Sequence, residues 1–89
     1  MQALGATLTH SQALAAAGVL KAQIASQTGA VVIDASALTQ FDSSALAVLL
    51  ASRREALAAG KAFSVSGLPV QLRQLANLYG VNELIPATA

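Results

Sequence analysis

The chain has no cysteine, no tryptophan and one histidine, and charged residues make up only 10% of it. Without cysteine there is neither disulfide nor thiol chemistry, and one imidazole does not make an ordinary zinc site. So little charge excludes an acidic or basic disordered arm. Five Lys/Arg against four Asp/Glu leave a net charge of +1, which excludes the phosphate-tracking surface of a nucleic-acid binder. No GxGxxG or GxxxxGK run cradles phosphates, so neither a dinucleotide nor a P-loop nucleotide is expected. No cofactor and no metal are expected. Long apolar runs are missing too. The stretch from Ser43 to Ser52 is bracketed by Asp42 and Arg53, far short of the ~20 residues that span a bilayer. Leu14 to Leu20 is apolar but has no basic residue before it, as a secretion signal requires. A cytoplasmic chain without membrane insertion is expected.

What is present is apolar and small. Hydrophobic residues reach 55% of the 89, alanine is the commonest residue, and mean hydropathy is +0.61. The length suits one domain over residues 1–89. That hydropathy is high for a small monomer whose surface should be polar, so part of the apolar surface is expected to meet a partner.

The elements alternate. Ala3 to Leu8 reads as a short strand, and Ser11 as the N-cap of a helix carrying Leu14, Ala17, Leu20 and Ile24, stopped at Thr28-Gly29. Ala30 to Asp34 is a continuous apolar run, expected as a central strand covered on both faces. Asp42-Ser43-Ser44 offers caps for a long helix ending near Ala59, with Gly60 as its stop. Ala62 to Ser66 alternates as a strand. Pro69 suits the start of a helix bearing Leu68, Leu72, Leu75 and Tyr79 on one face, and Leu84-Ile85 reads as a last short strand. This order predicts an α/β fold with parallel strands and crossover helices.

Catalytic groupings are sparse. His10 with Ser43 and an aspartate would supply the residue types of a hydrolase triad, but no nucleophile-elbow sequence accompanies them. Asp34 and Asp42 are paired carboxylates only on paper; a strand-end turn residue and a helix cap account for them better. The chain is expected to be non-catalytic. The central helix offers a surface instead. At about 100° per residue, Leu46, Leu49, Leu50 and Leu57 fall toward the sheet. Ala47, Ala51 and Ala58 form a stripe of small residues containing Arg54, and Val48 points roughly opposite the leucines. Alanine is a good helix former whatever it faces, yet small side chains also let another chain approach closely, with Val48 and Arg54 as anchors.

The segment Val32-Ile33-Asp34-Ala35-Ser36-Ala37-Leu38-Thr39-Gln40-Phe41-Asp42-Ser43-Ser44-Ala45-Leu46 resembles the signature of the STAS family. That family includes the anti-sigma-factor antagonists and the tails of sulfate transporters, and its pattern is Asp-x-Ser, an apolar loop, then Asp-Ser-Ser-Gly-Leu at a helix start. Ala45 stands where the family usually has glycine. Val65-Ser66-Gly67, Leu75-Ala76-Asn77-Leu78-Tyr79-Gly80-Val81 and the closing Leu84-Ile85-Pro86 are similar to the MlaB branch, whose members serve a phospholipid-transporting ABC system that maintains outer-membrane lipid asymmetry. The resemblance covers about residues 30–86. It implies a STAS fold, a small mixed and mostly parallel sheet backed by helices, with the usual N-terminal β-hairpin truncated.

Two functions follow from the resemblance. One is an accessory subunit that binds and stabilises or regulates the ATPase of an ABC transporter, peripheral to the inner membrane through the complex. The other is an anti-sigma-factor antagonist whose partner is an anti-sigma-factor kinase that phosphorylates Ser43. Both place the partner on Asp42, Ser43 and Ser44 at the helix start and on Ala47, Val48, Ala51 and Arg54 along it. The Tyr79 hydroxyl is a further candidate contact, although the spacing also places its ring in the core.

Overall fold

Two four-residue strands of strictly alternating burial, Val31–Asp34 (β3) and Phe63–Ser66 (β5), lie at the centre of the computed structural model, which describes residues 2–87. They pair in parallel, Val31 with Phe63 through Asp34 with Ser66. Gln2–Ala3 (β1) pairs in parallel on the other side of β3, so the sheet order is β1-β3-β5. A separate parallel pair joins Thr7–Leu8 (β2) to Gln40–Phe41 (β4). Every strand pairing among the described residues is parallel.

The expected N-terminal strand is therefore two. Ala6 O accepts from the N–H groups of both Thr39 and Gln40, which carries the chain from one sheet to the other and leaves β1 and β2 without a mutual hairpin. The C-terminal strand expected at Leu84-Ile85 is a 3-10 turn over Asn82–Leu84, and the sheet contact comes later, as a single bridge from Val65 to Ala87. The central strand is fully covered on one face only: Val31 and Ile33 are buried, while Val32 and Asp34 are half-buried.

Parallel neighbours require crossovers, and two helices supply them. His10–Ser26 (α1) links β1 and β2 to β3, and Ser44–Ala58 (α2) links β3 and β4 to β5. They pack on each other more extensively than any other pair of elements. The cap of α1 is Thr9, not Ser11, and Gln12 Oε1 reaches back to accept the Thr9 N–H at 3.1 Å. At its far end Lys61 Nζ donates to Ile24 O at 2.6 Å and also to Gln27 O, placing a cation at the negative end of the helix dipole. Val70–Leu78 (α3) buries Leu72 and Ala76, and Arg73 Nη1 ties it to the C-terminal turn through Asn82 Oδ1 at 2.8 Å and Ile85 O at 2.6 Å.

The core gathers Leu8, Leu20, Ile24, Val31, Ile33, Leu49, Phe63, Val65, Leu72 and Ile85, and full burial of each large side chain stabilises by about 1.5–3 kcal/mol. Three residues expected to face inward do not. Leu14 is 88% exposed, Tyr79 57% and Leu57 48%. Leu14 lies about 120° around the helix from Leu20. Leu57 and Tyr79 have the right direction but follow Ala56 and Ala76, the last buried residues of their helices. Val48 departs the other way: expected on the outer face, it is only 2% exposed.

Candidate partner-docking site

The helix starts converge on one carboxylate. Asp42 Oδ1 accepts the Ser44 N–H at 2.9 Å, and Oδ2 accepts the His10 N–H at 3.0 Å. A single side chain thus serves the first turns of both α1 and α2, where unpaired amides and the positive dipole end favour an anion. These two amides hold the Asp42 carboxyl below the ordinary value of 3.8, the Ser44 amide contributing most.

Asp42, not Ser43, caps α2. Ser43 has helical backbone angles (φ −61°, ψ −18°), and its side chain makes no capping bond. A capping residue keeps an extended backbone and bonds the amide two or three residues on; Asp42 to Ser44 has that spacing. Ser43 is left exposed at the open end of the helix. Ser44 Oγ lies 3.5 Å from His10 Nδ1, so the hydroxyl beside the imidazole is Ser44, and Asp42 meets the His10 backbone instead of its ring. The triad of His10 with Ser43 is not assembled.

A second carboxylate turn sits at the end of β3. The Asp34 carboxyl is held below its ordinary value by the Ser36 hydroxyl first and the Ser36 N–H second, the latter at 2.9 Å from Oδ1. Gly67, after β5, closes on the same turn with φ +68°, and a Cβ there would stand 2.8 Å from Ser36 Cβ. Asp34 and Asp42 occupy separate turns with separate partners, as their turn and cap readings require.

Behind the start of α2 an open groove of about 610 Å³ runs between the helices, lined by His10, Ser11, Ala13, Leu14 and Ala17 of α1 and by Ser44, Ala47 and Val48 of α2. It continues into a smaller recess of about 180 Å³ that includes Ala51, Ser52 and Glu55, near the ion pair of Lys21 with Glu55 at 3.9 Å. Of the small-residue stripe of α2, Ala47 is exposed on the groove, Ala51 is half-buried in the smaller recess and Ala58 is exposed outside both. Ser44, Ala47, Val48 and Ala51 are brought together along this groove. Arg54 is exposed and outside both recesses, and Tyr79 stands apart on α3. Sequence reasoning missed Leu14 on the groove rim; its off-face angle from Leu20 and Ile24 was the available signal.

The described residues contain no helix long and apolar enough to cross a membrane. Among curated proteins the sequence has no match. Residues 3–86 match the family described as "Mlab, STAS domain". With its parallel strands, crossover helices and the Asp42-Ser43-Ser44 helix start, the chain belongs to the STAS family, in the branch described as MlaB.

Proposed function

We propose that this chain is a non-catalytic accessory subunit, docking on the ATPase of an ABC transporter that moves phospholipid to maintain outer-membrane lipid asymmetry. It acts at the cytoplasmic face of the inner membrane through that complex. The family assignment supports the system. The observation that carries the docking surface is the exposed start of α2, where Ser43 offers an unengaged hydroxyl beside the apolar groove rimmed by Leu14. An apolar recess with few polar groups at its mouth is suited to an apolar anchor from a protein partner. Asp42 holds the two helix starts in register, Ser43, Ser44 and Ala47 provide the contact, and Val48 and Ala51 form the floor. Arg54 and Tyr79 lie beyond the groove and serve as peripheral contacts.

Co-purification with the ATPase of a phospholipid-transporting ABC system tests the reading. Ser43→Glu places a charge on a surface suited to a neutral hydroxyl and weakens capture at least tenfold with the thermal midpoint unchanged. Leu14→Asp does the same from the other rim, and Ser43→Ala retains capture. Wild-type capture by both charged variants places the interface elsewhere.

A second reading, an antagonist switched by phosphorylation, is favoured by the exposure and free hydroxyl of Ser43 alone. Incubation with a serine kinase of the anti-sigma-factor type, followed by mass measurement, tests it: phosphate on Ser43 supports the switch, and an unmodified chain excludes it.

A further inference from the structure

The two halves of α1 are held differently. Leu20 and Ile24, the buried residues of the helix, both lie in its second half. From His10 to Gly18 no side chain is buried; Ala13, Ala16 and Ala17 are half-buried and the rest are exposed. Gly18 stands at the junction, with nothing within 4 Å of where a Cβ would be, so its absent side chain makes no room for a neighbour and its helical cost is uncompensated. On the other side, Leu8 is buried and pinned to Phe41. The first half of α1 is thus a helical strap between two core anchors, secured by alanine methyls, by the Thr9–Gln12 cap at its start and by the bond of the His10 amide to Asp42.

We infer that His10–Ala17 opens as a unit, by local melting between Leu8 and Leu20, and that this opening uncovers Val48. Val48 is buried at the groove lined by Ala13, Leu14 and Ala17, so removing the strap removes its cover. Leu49, its neighbour, is 0% exposed and belongs to the sheet-facing core; opening the strap leaves it covered. Local openings of this kind draw on segments with few buried apolar contacts and expose little surface. The inference rests on burial and tethering within this chain and is independent of the docking reading.

The absence of cysteine allows a direct test, because Val48→Cys and Leu49→Cys each introduce one thiol whose reaction with a soluble disulfide reagent reports its uncovering. The Val48→Cys thiol is expected to react at least about tenfold faster than the Leu49→Cys thiol in the native full-length chain. Its rate should be nearly flat in sub-denaturing urea, where the Leu49→Cys rate climbs steeply, because only global unfolding exposes a large surface. Ala15→Gly, on an exposed position of the strap, should raise the Val48→Cys rate about fivefold, and Gly18→Ala should lower it by a similar factor. Equal rates and equal urea dependence at the two thiols overturn the inference, as does a Val48→Cys rate unmoved by both helix variants. Should Val48→Cys fail to fold, residue-resolved amide exchange of the unmodified chain decides. Because each helical N–H bonds the carbonyl four residues earlier, a shared opening equilibrium for the amides of residues 14–21, distinct from 22–26, supports the strap; a smooth gradient along α1 overturns it.

Discussion

The His10 amide and the Asp42 carboxylate, 32 positions apart in the chain, are bonded at 3.0 Å, and this contact ties the first turn of α1, capped by Thr9, to the residue that caps α2. Since Lys61 grips the far end of α1, the segments flanking α2 place an anion at the positive end of α1 and a cation at its negative end, the arrangement the helix dipole favours.

Because each carboxylate oxygen serves a different helix, replacements at Asp42 are graded. Asp42→Asn keeps one acceptor oxygen and lowers the thermal midpoint by less than Asp42→Ala, which removes the side-chain acceptor from the first turns of both helices. Ser43→Ala, which removes no capping bond, stays at the wild-type midpoint. Circular dichroism melts of the three variants check the order.

Acid weakens the fold from a defined side. The Asp34 and Asp42 carboxyls are both held below 3.8 in the folded chain, so their ionised forms are favoured there over the unfolded state. Their contribution is fully present above about pH 5 and is lost as pH falls through the depressed folded values. Urea midpoints measured from pH 7 downward should be level until the carboxylate range and then drop. The drop should be shallower in Asp42→Asn, which has one of these groups removed.

At Gly67 the positive φ and the 2.8 Å approach to Ser36 act together against any side chain. A non-glycine residue in that backbone region costs about 1–2 kcal/mol before the clash is counted. Gly67→Ala should therefore lower the thermal midpoint by at least about 4–8 °C, the shift for 1 kcal/mol in a domain of this size.

Leu72 and Tyr79 share one face of α3 by spacing but differ in cover, Leu72 being 0% exposed and Tyr79 57%. Leu72→Ala should cost about 2–5 kcal/mol. Tyr79→Ala should stay within about 0.5 kcal/mol, as for a surface position. Chemical denaturation of both variants separates a core ring from an exposed one, and a large loss at Tyr79 would restore the core role that its spacing predicts.

Much of the architecture is legible in the sequence. The apolar run at Val31, the alternation at Phe63, the helical spacing after Asp42 and the stop at Gly60 encode strands, helices and their order, because period and chain breakers act over a few residues. The STAS signature was legible for the same reason, being a contiguous strand, turn and helix start. What tertiary structure decided was which neighbour covers each face. Val48 is buried because α1 crosses that side of α2, and Leu14 is exposed because α1 turns its Leu20–Ile24 face inward. Asp42, rather than Ser43, caps because the backbone is already helical at Ser43, a conformation that the Asp-Ser-Ser triplet does not specify. Its second bond, to His10, joins positions brought together across the α1 crossover by the pairing of Leu8 with Phe41. Local sequence sets hydrogen-bonding capacity and direction; the packed neighbour determines which capacity is used and which side chain meets water.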